Sequence, residues 1–367
     1  MKKTMFLAAL LMSFAATAPL FADNDEKESN EPFAVYKFPV AAIEKVTVST
    51  AGGSIRVAGD ATGEAVVSVW IRSTRGKKLP KEDIQKILDE HYDLAVKAEH
   101  GELRAEARRV SDERWSSTNS LSVSFRLSVP QKIASRLETS GGSIYIRNLT
   151  GKEDVTTSGG SVYVEEVSGT VTGRTSGGSI RLSASKGDIQ LSTSGGSIRA
   201  QDSEGDITLS TSGGSVRLDH INGNIRATTS GGTIRLADLT GTIQARTSGG
   251  SIHADRVSGT LTAGTSGGSM KLAEIAGNLD ARTSGGGMNV QMTSVSEYVR
   301  LTNSGHITLS LPGGKGYALR ITGQHIDTGV LENFSGVFES KTIDGTLNGG
   351  GAEINIRSSQ RVRLMFE

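Results

Sequence analysis

The residues of this chain whose types could do chemistry are numerous but scattered. Six histidines, His91, His100, His220, His253, His306 and His325, are the natural candidates for a metal ligand or a proton shuttle near neutral pH. None stands four residues from another, the spacing that sets two imidazoles on one helical face around zinc, so no metal site is expected. Serine is abundant, yet no Gly-x-Ser-x-Gly elbow occurs; Ser183, Ala184, Ser185 and Lys186 match Ser-x-x-Lys by letter but sit inside a repeat and lack the companion motifs. No glycine pair runs into Gly-Lys-Ser or Gly-Lys-Thr, so no phosphate loop is expected. The chain has no cysteine, which excludes disulfides and thiolate ligands. Neither a catalytic set nor a cofactor is therefore expected. What remains is electrostatic: Arg181, Arg199, Arg217 and Arg235 recur at equal intervals, preceded in the same frame by Tyr145 and Tyr163 and followed by His253 and Lys271.

A column of that kind needs elements with the same period. Thr-Ser-Gly-Gly begins at Thr139, Thr157 and Thr175 and recurs every 18 residues through Thr283, giving nine units over 139–300. A further glycine marks the other half of each unit, from Gly151 to Gly277. With the Thr as position 0, position 5 is Ile144, Val162, Ile180, Ile198, Val216 and their equivalents, position 7 is mostly aliphatic, and positions 14 and 16 repeat the theme. Apolar residues two apart specify strands with one buried face. One unit alone has too little apolar surface to offset its ordering entropy, so the units must stack. Nine coils at ~4.8 Å make a rod of roughly 43 Å. The paired glycines are expected to supply positive φ at a tight reversal. Positions 10 and 16 are expected to share core volume, because Ser185 and Ser203 at position 10 coincide with Leu191 and Leu209 at position 16.

The fold class expected is all-β, a single-chain parallel β-solenoid of 18-residue coils. It is expected to wind right-handed, the rule for parallel connections. A hexapeptide helix is rejected because the glycines fall nine apart, and a calcium-binding roll because the turns lack regular Asp. Residues 33–130 are read as a β-rich N-terminal cap with one helix near 81–90, opened by Pro80 and lined by Ile84, Ile87 and Leu88. Residues 131–300 are the regular solenoid and 301–367 its irregular last coils and cap. Within the first region, residues 50–55 form a stray copy of the repeat motif.

Lys2 and Lys3 precede an apolar run from Met5 to Ala16, the pattern of a cleavable signal peptide over 1–22, followed by a linker over 23–32. That run is too short to span a bilayer, and no transmembrane segment is expected. Export to the periplasm, the cell surface or the medium follows from this expectation. With 40 basic and 39 acidic residues the chain is nearly neutral, which argues against a nucleic-acid partner.

Recurrent Thr-Ser-Gly-Gly-Ser-Ile followed by Gly-x-Ile, behind a mixed β region with one helix, resembles the bacterial “putative adhesin” family of β-strand-repeat proteins. The resemblance covers nearly all of the chain beyond the expected signal peptide. It implies an exported, non-enzymatic, adhesin-like envelope or surface protein and supplies no catalytic residue. The ladder of Arg181, Arg199, Arg217, Arg235 and Lys271 is then a candidate track for an anionic polysaccharide or another envelope component. Neighbouring cations at ~4.8 Å repel by about 0.9 kcal/mol in water, which a polyanion would offset. The alternative is a polysaccharide lyase or hydrolase on a β-helix scaffold, which requires carboxylates converging where the period breaks. Self-assembly through the coil ends is a third expectation.

Overall fold

The computed structural model describes residues 31–74, 79–110 and 120–367; the expected signal peptide and nearly all of the expected linker lie outside them. From Pro32 to Glu367 the chain forms one unit. Its strands all join one continuous sheet, with a single α-helix among the described residues. The architecture is a β-solenoid of about ten turns whose coils stack in parallel. Register is unbroken through the regular part: Val162 lies beside Ile180, Ile180 beside Ile198, Ile198 beside Val216, and so on to Met270. These columns, with those at positions 7 and 14, are sealed from solvent, including where Ala200, Ala254 or Glu153 replaces a large aliphatic. Burying each such side chain contributes about 1.5–3 kcal/mol.

Position 16 is compensated along the axis. A Cβ added at Gly173 would come within 2.5 Å of Leu191 in the next coil and 3.1 Å of Val155 in the previous one. Leu191 thus grows into the space its neighbour leaves. Ser185 and Ser203 at position 10 are also buried, and their hydroxyls donate to the carbonyls of Ser183 and Gln201 at 2.8 Å.

The Thr-Ser-Gly-Gly-Ser turn differs from the expectation of positive φ. None of its paired glycines adopts that conformation. The second glycine is required by proximity instead: a Cβ on Gly160, Gly178, Gly196 or Gly214 would stand 1.9–2.0 Å from the carbonyl oxygen of the equivalent glycine one coil earlier. The buried Thr anchors the same contact. Thr211 Oγ1 donates to Gly196 O at 2.8 Å and accepts the Gly214 N–H at 3.3 Å, and the pattern repeats along the rod. Positive φ is found elsewhere in each coil. It occurs at the glycine of position 12, from Gly169 to Gly277, and at position 9, where Asn148, Glu166, Ala184, Asp202, His220, Asp238, Arg256 and Glu274 all lie between 48° and 54°. Each coil therefore has a third bend at a non-glycine residue.

At the N-terminal end, Thr50 and Ile55 stack on Thr139 and Ile144, so the isolated motif copy is a coil in register. That coil is sandwiched: Lys45–Thr50 pairs with Glu102–Arg109 on its other side, and Ile55–Gly59 with Leu121–Val129. Antiparallel strands then close the end, Glu64–Ser73 on Leu121–Val129, Ala34–Pro39 on Glu64–Ser73, and Tyr92–Glu99 on Glu102–Arg109. The helix spans Lys81–His91 beside Tyr92–Glu99. Pro80 precedes it in an extended conformation, Glu82 and Asp83 complement the dipole at its start, and Ile84 and Leu88 are its buried residues.

At the C-terminal end Asn303 replaces the motif Thr two residues late, after bulges in the Met288–Asn303 strand. Its amide donates to Gly286 O at 2.9 Å, and its Oδ1 accepts the Gly305 N–H, as the Thr hydroxyl does elsewhere. The last strands, Ala352–Ser358 and Arg361–Phe366, are inserted beneath strands that precede them in sequence, Tyr317–Thr322 and His325–Thr328.

Candidate functional site

The outward face of the first strand in each coil carries the ladder. Because positions 5 and 7 point into the core, position 6 must point out. Backbone register sets Arg56, Tyr145, Tyr163, Arg181, Arg199 and Arg217 in one file, continued by Arg235, His253 and Lys271. All five sequence-predicted cations, Arg181, Arg199, Arg217, Arg235 and Lys271, are brought into this file and are exposed. Among the described residues Arg181, Arg199, Arg235 and Lys271 have no carboxylate within ion-pair distance, and Arg217 only a loose contact with Asp219 at 3.6 Å.

His253 registers the resulting field. Burial, and then the Arg235 and Lys271 charges on either side, hold its imidazole below the usual histidine pKa. The tyrosines behave differently from an extension of the track by open aromatic faces. Tyr145 and Tyr163 stack on each other with centroids 4.4 Å apart and planes 3° from parallel. Arg56 covers the outer face of the pair at 4.5 Å, and Arg181 lies 5.7 Å from the Tyr163 ring. The pair therefore anchors one end of the cation file and presents ring edges.

Serines line one flank of the file. Ser179 Oγ accepts the Ser197 N–H at 3.3 Å and Ser197 Oγ accepts the Ser215 N–H at 3.2 Å, which leaves each hydroxyl hydrogen able to donate outward. The other flank, Ser183, Gln201, Asp219, Ala237, Asp255 and Ala273, carries two carboxylates, and Asp255 is paired with Arg256. The surface thus offers a row of cations beside a row of hydroxyl donors, both repeating at ~4.8 Å along the rod. That arrangement recognises a linear partner bearing anionic groups and hydrogen-bond acceptors.

The bend at position 9 holds a second cluster that the sequence did not single out. His220 Nδ1 lies 3.0 Å from Asp219, and its Nε2 lies 3.8 Å from Asp238. These three side chains could gather around a cation. Both Asp238 oxygens, however, accept from Arg256, at 2.6 and 2.9 Å, which holds that carboxyl below its usual range. Arg256 also pairs with Asp255. The cluster is an ion-pair network on a solvated edge. A shallow groove beside it is lined by Asp238, Arg256, Glu274 and Thr293 near the bulged coil, and the guanidinium lies among its carboxylates. At Ser183 and Lys186, the lysine reaches Glu204 in the next coil at 3.2 Å.

No helix among the described residues is long and apolar enough to cross a membrane. No family model matches the chain and no curated protein matches it. Among solved structures, the chain is similar to one described as a “putative cell adhesion protein” from Clostridium sporogenes, at 9% identity over 91% of this chain and 98% of that one. The TM-score is 0.18, a likeness too slight to bear on fold or function.

Proposed function

We propose that this is an exported, adhesin-like protein of the bacterial envelope or surface that performs no turnover and whose rod holds an anionic polysaccharide along the ladder from Arg181 to Lys271. The observation that supports the reading most is the file of exposed guanidinium groups, of which only Arg217 has a carboxylate within ion-pair distance among the described residues. A protein gains nothing in stability from stacking like charges in register, at about 0.9 kcal/mol of repulsion per neighbouring pair before screening. Arginine suits the role because its planar fork accommodates carboxylate or sulfate in a bidentate manner. The adjoining serine hydroxyls favour a hydroxylated polymer over a bare anionic surface.

A glycan and lipid array read with the wild-type protein and with the Arg199→Ser/Arg217→Ser variant tests this. Acidic glycans are expected to bind in a salt-sensitive manner, and the variant to lose about tenfold or more in affinity with a shallower salt dependence. Binding should also take up a proton at His253, since a polyanion offsets the charges of Arg235 and Lys271. The imidazole pKa, followed by NMR, is expected to rise on addition of polygalacturonate, and affinity to increase as pH falls through the histidine range. Binding that is unchanged in the variant, or insensitive to salt, would remove the ladder from the mechanism.

A further inference from the structure

The strand Phe334–Phe338 is the outermost strand at the C-terminal end of the solenoid, paired only with Thr342–Leu347. Its hydrogen-bonding parity is fixed at both ends. Glu339 and Thr342 exchange both backbone hydrogen bonds, and the Asn348 N–H donates to Asn333 O. Odd-numbered residues therefore face the inner strand, and the N–H and C=O groups of Phe334, Gly336 and Phe338 face outward. No backbone partner for those outward groups occurs among the described residues. The edge carries none of the usual protection: no Lys, Pro or charge lies between Asn333 and Phe338. Around it Val330 is 92% exposed, Val337 51% and Phe338 55%.

We infer that this edge is the seam of a symmetric dimer, in which the Phe334–Phe338 strands of two copies pair antiparallel about a two-fold axis at Gly336 and join two rods tail to tail. A second strand matches an open row of alternating donors and acceptors group for group, and the segment is complementary to its own reverse. The sequence Phe-Ser-Gly-Val-Phe is flanked symmetrically by its aromatic residues. With the axis at Gly336, each Phe334 faces a Phe338 of the second copy and the two Gly336 residues face each other. These are the positions whose backbone groups point outward, so each facing pair exchanges two hydrogen bonds. Glycine at the axis places no side chain between the backbones. Glu332 falls opposite Ser340 and Glu339 opposite Asn333, so no like charges meet. Phe334 and Phe338, already edge-to-face at 6.3 Å, would merge with their counterparts into one aromatic cluster. This inference is independent of the polyanion reading, since the seam lies at the rod's end and the ladder along its side.

Sedimentation velocity over a range of concentrations, with Val337→Lys and Phe338→Lys as variants, tests it. Wild-type protein is expected to show a concentration-dependent dimer with the frictional ratio of a doubled rod. Both variants are expected to remain monomers with unchanged thermal melts, because the substituted side chains are exposed. A second readout uses the absence of native cysteine. Mixing Ser335→Cys protein with Val337→Cys protein places the two thiols in directly facing, non-hydrogen-bonded positions, and oxidation should link the two chains, whereas Ser335→Cys protein alone should link poorly. A wild-type monomer at every concentration, a dimer that survives both lysine substitutions, or failure of the mixed cysteine variants to cross-link would overturn the inference. A strand from a different protein as the true occupant would appear as the first of these results.

Discussion

Glu153 occupies a place that elsewhere in the rod belongs to Ile, Val or Leu. It stands at position 14, directly beside Val171 in the next coil, and is fully buried. Its Oε2 accepts from the Ser135 hydroxyl, while Oε1 has no hydrogen-bond partner. Burial raises its pKa from 4.5 to about 7, partly opposed by the Ser135 hydrogen bonds. An acid whose folded pKa is raised is penalised in its charged form. The fold is therefore least burdened at and below pH 4.5, loses stability as pH rises from there to about 7, and is level above that. The loss is on the order of 3 kcal/mol at most. Denaturant melts at about pH 5 and about pH 8 should show this slope in the wild type and a much smaller one in Glu153→Gln, and Glu153→Val should be the most stable at neutral pH. Equal slopes in the wild type and Glu153→Gln would mean that another group dominates. The residue is visible in the sequence as a break in an aliphatic column, but its neutralisation depends on what surrounds it, which no spacing reveals.

The turn element separates two glycines that look interchangeable in sequence. A Cβ on Gly213 would meet its nearest atom at 3.5 Å, an ordinary contact, whereas one on Gly214 would stand 2.0 Å from the Gly196 carbonyl oxygen. Neither glycine has positive φ, so backbone strain does not distinguish them. Gly213→Ala is expected to change stability by less than about 1 kcal/mol, and Gly214→Ala to cost about 3 kcal/mol or more, because the obstructing atom is backbone held by Thr211 and cannot yield. Thermal melts of the two variants decide it; equal losses would place the requirement in chain entropy. The period, the inward columns and the ladder were legible because each depends only on residue type at a fixed interval. The bend at position 9 was not. A left-handed residue is usually betrayed by glycine, yet this column holds Asn, Glu, Ala, Asp, His and Arg, and stacking on an identical neighbour fixes the conformation. The stacking of Tyr145 on Tyr163 escaped for a related reason, since letters place rings in a column without stating which way the faces turn.

At the scale of the whole rod the two ends are built alike, by interleaving. The N-terminal coil at Lys45–Gly59 lies between strands that follow it in sequence, and the C-terminal coil at Ala352–Phe366 lies between strands that precede it. Such pairings join residues far apart in the chain and leave no periodic trace, which is why the sequence shows only degraded repeats there. They also make closure all-or-none. Tyr317–Thr322 and His325–Thr328 have nothing parallel to stack on until the last residues arrive, and Tyr317, whose hydroxyl donates to Pro312 O at 2.9 Å, is packed against Phe366. A chain ending at residue 351 should keep the β-sheet circular dichroism of its regular coils, whose contacts are local to neighbouring turns. Its C-terminal segment should lose hydrogen-exchange protection over 317–347, and the exposed edges of Met288–Asn303 and Ile307–Leu311 should drive association that light scattering detects. The regular coils should retain full protection in the same experiment. If 317–347 stays as protected as in the full chain, the inserted coil is an accessory to that end and the closure argued for it is wrong.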